Sequence, residues 1–140
     1  MSKQVITIQT SILAPVDRVW NTWTNPEDIL QWNAASPDWH TTKAENDLRV
    51  GGRFTSRMEA KDGSMGFDFG GTYDEIITHK LIKYTLDDDR KVEVIFERIS
   101  QNKSKIIESF EAESTNSIEM QQQGWQALLD NFKNYEEDRD

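Results

Sequence analysis

Residues 116–137 read NSIEMQQQGWQALLDNFKNYEE, and this stretch decides the fold. Trp125, Leu128, Leu129, Phe132 and Tyr135 recur at three- and four-residue spacing, which places them on one face of an amphipathic helix. Asn116 is expected to cap the first turn, with Glu119 three residues on to complete a capping box. Gly124 sits mid-helix, where it costs about 1 kcal/mol against alanine. That cost is understandable if a strand or a ligand comes close at this point. A plainer alternative is that the glycine only lets the helix lie close on a sheet.

The rest of the chain supplies the sheet. Val5 to Leu13 alternates, with Ile6, Ile8 and Ile12 on one side, and reads as a strand. Pro15 suits a first helical turn, and Val16, Val19, Trp20 and Trp23 form one apolar stripe of a short helix. Asn25 and Pro26 cap and open a second short helix that ends near Trp32. From Trp39 onward the pattern is β. Trp39–Asp47 is a polar strand, and Arg53–Lys61 resumes after the Gly51-Gly52 break. Asp62-Gly63-Ser64 makes a hairpin turn, and Phe67–Ile77 returns. Gly70-Gly71 suggests a bulge or a bend there. Leu81–Leu86, Val92–Ile99 and Ser104–Ala112 follow as further strands. A run of hairpins gives a curling meander, and the final helix must bury its apolar face on the concave side. The expected fold is α+β: a curved antiparallel sheet of about six to seven strands, two short helices and a long C-terminal gripping helix. No linker or repeat divides it, so residues 1–140 are expected to form one domain.

Composition narrows the function classes. The formal charge of −9 opposes non-specific nucleic-acid binding. There is no cysteine, hence no disulfide frame and no thiol nucleophile. The opening MSKQVITIQT lacks the apolar run of a signal peptide, and no stretch approaches the length of a spanning helix. A cytoplasmic protein without a membrane association is the plain expectation. Five Trp and six Phe supply large surfaces for burial.

The order of elements and the local motifs together resemble the START-like (SRPBCC) superfamily with its Bet v-type helix-grip fold. They point to the bacterial branch named for the activator of the heat-shock-protein-ninety ATPase (AHSA-like). The resemblance covers nearly the whole chain. Ala14-Pro15 and Val19-Trp20 carry it first, then Asn25-Pro26-Glu27 with Trp32. Asp47-Leu48-Arg49-Val50-Gly51-Gly52-Arg53-Phe54 and Gly71-Thr72-Tyr73-Asp74-Glu75-Ile76 continue it. Gly124-Trp125 and Leu129-Asp130-Asn131-Phe132 end it. It implies a cavity between the long helix and the sheet, often used for apolar or aromatic small molecules. Superfamily members include cyclases, lipid carriers and hormone receptors. The eukaryotic chaperone activator adds a separate N-terminal domain, for which these 140 residues leave no room. A dry hollow of about 300 Å³ would cost on the order of 7 kcal/mol, so such a hollow is expected to be watered, collapsed or filled.

Several residues are candidates for the ligand site. Arg57 and Glu59 are two apart on one strand and share a face, where Arg57 could grip a carboxylate or a carbonyl. With the hairpin centred on Asp62-Gly63-Ser64, Glu59 lies opposite Phe67 and Asp68 opposite Met58, so Asp68 faces away from the pair. A slip of one residue reverses this. The bland reading of all three is an exposed cross-strand ion pair. Asp38, Trp39 and His40 stand where a cavity mouth is expected. Trp39 could stack on an aromatic ligand and His40 could act as a base or a donor, or the segment is only a surface loop. Met58 and Phe69 are candidate walls, and Trp125 is the aromatic most expected to touch a ligand. His79 reads as a solvated turn residue, and Asp87-Asp88-Asp89 as a solvated hairpin. No metal-ligand spacing, phosphate loop or nucleophile triad is present, so no metal and no cofactor are expected.

Three readings follow. The first is a binding protein for a small apolar or aromatic, lipid- or polyketide-like molecule. The second is a cyclase- or hydratase-like enzyme using Asp38, His40 or Glu59. The third is a chaperone-associated interaction module working through its acidic surface. The oligomeric state stays open between a monomer and a weak dimer.

Overall fold

Alternating β-branched and polar residues build β1 (Val5–Ile12), which turns Ile6, Ile8 and Ile12 inward. The computed structural model describes residues 4–34 and 36–138; Met1 to Lys3, at the start of the opening stretch, lie outside them. Two short helices follow. In α1 (Val16–Thr24) Val19 and Trp20 are buried. In α2 (Pro26–Trp32) the Asn25 side chain accepts from the Glu27 N–H and Pro26 opens the first turn, as its rigid φ favours. Six strands come next: β2 (Trp39–Asn46), β3 (Arg53–Ala60), β4 (Gly66–Ile77), β5 (Leu81–Leu86), β6 (Lys91–Ser100) and β7 (Lys103–Glu111). The chain then enters α3 (Ile118–Glu137).

All seven strands form one antiparallel sheet in the order β1-β7-β6-β5-β4-β3-β2. The first two strands of the chain therefore lie at opposite edges. The segment joining them, α1 and α2, spans the sheet and closes one end of it. The sheet curls into a half-barrel and α3 lies along its concave side. The expected α+β helix-grip fold is the fold observed.

The apolar stripe of α3 is divided between two tasks. Leu129 and Phe132 are buried in the main core with Ile12, Val19, Ile106 and Phe110. Trp23 and Trp32 stack with centroids 4.9 Å apart, and each meets Phe132 edge-on. Asn131 donates to the Trp32 carbonyl, and Arg18 donates through Nε to the buried Glu136 carboxylate at 2.6 Å. These ties fasten the C-terminal half of α3 to α1 and α2. The N-terminal half, with Trp125 and Leu128, faces open space instead.

Three details differ from expectation. Ser117, not Asn116, caps α3: its side chain accepts from the Met120 N–H at 3.1 Å. Gln121 then ties the preceding loop by donating to the Glu113 and Asn116 carbonyls. The bulge of β4 falls between Tyr73 and Glu75, not at Gly70-Gly71. Gly71 is needed for another reason: a Cβ there would meet the Thr85 carbonyl oxygen at 2.5 Å. His79 is half-buried and sits edge-on to Trp20 at 6.0 Å, so it is not simply solvated.

Candidate functional site

Strand alternation sends Phe54, Ser56 and Met58 of β3, Phe69 and Tyr73 of β4, and Ile82 and Tyr84 of β5 to the concave side. The N-terminal half of α3 stands over this surface without filling it. The result is a cavity of about 690 Å³, within the size range of small-molecule sites. The long helix forms one wall with Gln121, Gly124, Trp125 and Leu128, and the other wall is the sheet. The indole of Trp125 stacks on Phe110, with Phe69 edge-on at 6.1 Å. At the rim Trp39 meets Phe67 at 5.8 Å, and Phe67 is exposed.

The glycine of α3 is accounted for by this space. A Cβ at Gly124 would meet nothing within 4 Å. No strand approaches the helix there, so the close-packing alternative does not hold, and the missing side chain simply enlarges the cavity.

A few polar groups interrupt the apolar walls. The Tyr73 hydroxyl donates to Asn46 Oδ1 at 2.6 Å. Burial pushes its pKa well above the ordinary tyrosine value, against the smaller effect of that bond. Glu108 of β7 also faces inward and is 5% exposed. Burial alone pushes its carboxyl up to about 8. Tyr84 is raised well above the usual value, first by burial and then by the nearby Glu108 charge. Among the described residues, no hydrogen bond reaches the Glu108 carboxyl or the Tyr84 hydroxyl. Arg90, among the described residues the one basic side chain lining the cavity, is held by Asp88 at 2.8 Å.

The residues singled out from sequence divide into two groups. Trp39, Met58, Phe69 and Trp125 line the cavity. His40, Arg57, Glu59 and Asp68 do not. The hairpin is one residue tighter than expected: Ala60 N–H bonds to the Met65 carbonyl, and Arg57 pairs with Asp68, Met58 with Phe67. Asp62 drives this by accepting from both the N–H and the hydroxyl of Ser64, which closes a short turn. Asp68 therefore lies on the same side as Arg57 and Glu59, contrary to the expected register, and that side is the convex one. Arg57 bonds Glu59 at 3.0 Å and Asp68 at 3.4 Å. His40 pairs with Glu59 across β2 and β3 and is exposed on the same outer face. Asp38 lies in the loop before β2, where its carbonyl accepts from the Lys61 N–H.

Glu108 is not among the residues that spacing and composition single out. Its signal was present, since Glu108 is in phase with Ile106 and Phe110, and a charge in register with an apolar strand face marks a polar group facing inward. Among the described residues, no group of His, Asp or Glu is placed to hold a metal ion, and no helix is long and apolar enough to cross a membrane.

Comparison with known proteins matches residues 13–137 to the family model "Activator of Hsp90 ATPase homolog 1-like protein". The chain belongs to this family. A solution structure of an AHSA1-like protein from Aeromonas hydrophila is 44% identical, with a TM-score of 0.88 over 94% of this chain and 91% of that one. A protein of known solution structure from Cytophaga hutchinsonii is 49% identical, with a TM-score of 0.82 over 93% and 90%. A Chromobacterium violaceum protein, 23% identical with a TM-score of 0.85 over 97% and 99%, shares the fold. No curated protein matches. The AHSA1-like fold commonly binds hydrophobic ligands, and the cavity under α3 has the form that such binding needs.

Proposed function

We propose that this AHSA1-like protein binds an apolar, ring-bearing small molecule between α3 and the sheet, and does so in the cytoplasm. The cavity itself is the observation that carries the reading. It is walled by aromatic and aliphatic side chains, with Trp125, Phe69, Met58 and Trp39 as contacts. Energetics point the same way. A dry void costs about 24 cal/mol per Å³, so a space of this size is not held empty. Such a space is hydrated or occupied, and a ring displacing poorly bonded water from apolar walls gains affinity. Tryptophan fluorescence and thermal melting across a panel of aromatic and lipid compounds test the reading. Quenching with a raised melting temperature is expected for some members. Uniform silence across the panel would sink it.

One observation supports a second reading. Glu108, with a pKa near neutrality inside a cavity, has the properties of a general acid or base. Turnover of a bound compound, lost in Glu108→Gln while binding persists, would favour the enzyme over the carrier. Asp38, His40 and Glu59 do not line the cavity.

A further inference from the structure

We infer that the ligand carries a neutral acceptor oxygen, such as a ring-conjugated ketone, that takes a hydrogen bond from the Glu108 carboxyl group inside the cavity. The inference rests on the binding function proposed above and names the chemistry of its polar end.

Glu108 sits in a row of concave-face residues that is otherwise apolar. Ile8 lies beside it on β1 and Val94 on β6, and Ile82 continues the row on β5. Along its own strand, Ile106 and Phe110 flank it, and both are buried. Its carboxyl opens onto the cavity, where water or a bound molecule can meet it. The other titratable or charged groups lining the cavity are Glu45, Tyr73, Tyr84, Arg90 and Glu113. None of them bonds to Glu108. Tyr73 is committed to Asn46 and Arg90 to Asp88, and the Glu113 carboxylate accepts from the Thr115 and Asn116 N–H groups. With no protein group on it, the Glu108 carboxyl is left to water or to a polar group of the ligand.

The chemistry of that partner follows from the protonation of the acid. Burial favours the neutral form of Glu108, which presents an O–H donor beside its acceptor oxygen. A neutral acid in an apolar site is a good donor to a carbonyl oxygen. A basic amine would instead require an ion pair to form in apolar surroundings, at the cost of desolvating both charges. A carboxylate ligand would find Arg90 already engaged by Asp88. The Tyr84 and Ser56 hydroxyls also line the cavity without a hydrogen bond among the described residues.

Calorimetric titration with three matched probes tests this: acetylnaphthalene, ethylnaphthalene and naphthylethylamine. Each is measured at about pH 6 against the wild type, Glu108→Gln and Glu108→Leu. Wild type is expected to prefer the ketone over the hydrocarbon by roughly tenfold. Glu108→Gln, whose amide still donates, should keep that preference, and Glu108→Leu should abolish it. Ketone affinity in the wild type should also fall as pH passes about 8, which carries the test even if the leucine variant fails to fold. Equal binding of ketone and hydrocarbon would overturn the inference and leave the binding function standing. Preference for the amine, lost in Glu108→Gln, would overturn it in favour of a charge pair. Binding of none of the three would count against the binding function and bring the inference down with it.

Discussion

The Trp125 indole lies face to face on the Phe110 ring, with centroids 3.9 Å apart and planes 10° from parallel. This contact packs α3 against β7 beside the cavity. It helps hold the helix on the sheet, together with the Gln126 and Lys133 bonds to β1, and Trp125 lines the cavity. Removing it has two effects. Trp125→Ala is expected to lower stability by about 2 kcal/mol, less than for a fully buried tryptophan because the indole is half-buried. It should also weaken binding of ring compounds at least tenfold while far-UV circular dichroism keeps the native shape. Urea denaturation and ligand titration on the same preparation check both. Unchanged affinity would remove Trp125 from the site.

Gly124 gives a prediction of opposite sign. A methyl group there meets nothing within 4 Å, so Gly124→Ala has no clash to set against its gain in helix propensity. Stability should rise by about 0.5–1 kcal/mol. A measured loss of stability would show that the helix needs this glycine for a close approach after all.

The pH dependence of stability follows from Glu108. Its folded pKa of about 8 lies above the ordinary 4.5, so between these values the folded state binds more protons than the unfolded. Its contribution is fully present below the unfolded pKa and is lost as pH rises through the folded one. Glu108→Gln removes this titration. The stability of the variant relative to wild type should therefore grow with pH, by on the order of 4 kcal/mol across the whole window. Urea denaturation of both proteins at about pH 5 and about pH 9 measures it. A constant difference would show that the carboxyl is solvated.

The convex triad predicts indifference. Arg57, Glu59 and Asp68 pair in the open, with side chains 40%, 37% and 67% exposed. Arg57→Ala is expected to change stability by less than about 1 kcal/mol and ligand affinity not at all. A marked loss of affinity would place Arg57 at the ligand in solution.

Much of this architecture was legible because it depends on periodicity. Ile6, Ile8 and Ile12 announce β1, and Trp125 to Tyr135 announce the gripping helix, each through a repeat that packing must respect. What stayed hidden depends on single-residue register. The β3–β4 hairpin is set by the Asp62–Ser64 hydrogen bonds, and the shift of one residue they impose carries Asp68 to the face of Arg57 and Glu59. Sequence spacing alone fixes which residues share a face, but not which face meets the helix. For the same reason Trp39, Met58 and Phe69 line the cavity, while His40, their near neighbour, points away from it. Glu108 was hidden for a different reason. A charged residue in a strand is usually outward-facing, and only its phase with Ile106 and Phe110 marks it as inward.

The central claim is that the space beneath α3 holds a small molecule. Native mass spectrometry of the protein purified without denaturation from the organism that makes it tests this most directly. The account predicts a reproducible mass increment of one small molecule on the wild type. It also predicts the loss of that increment in Gly124→Phe, which drives a ring into the cavity while the melting curve stays cooperative. A wild-type spectrum showing the bare polypeptide alone, or an increment that survives in Gly124→Phe, would contradict it.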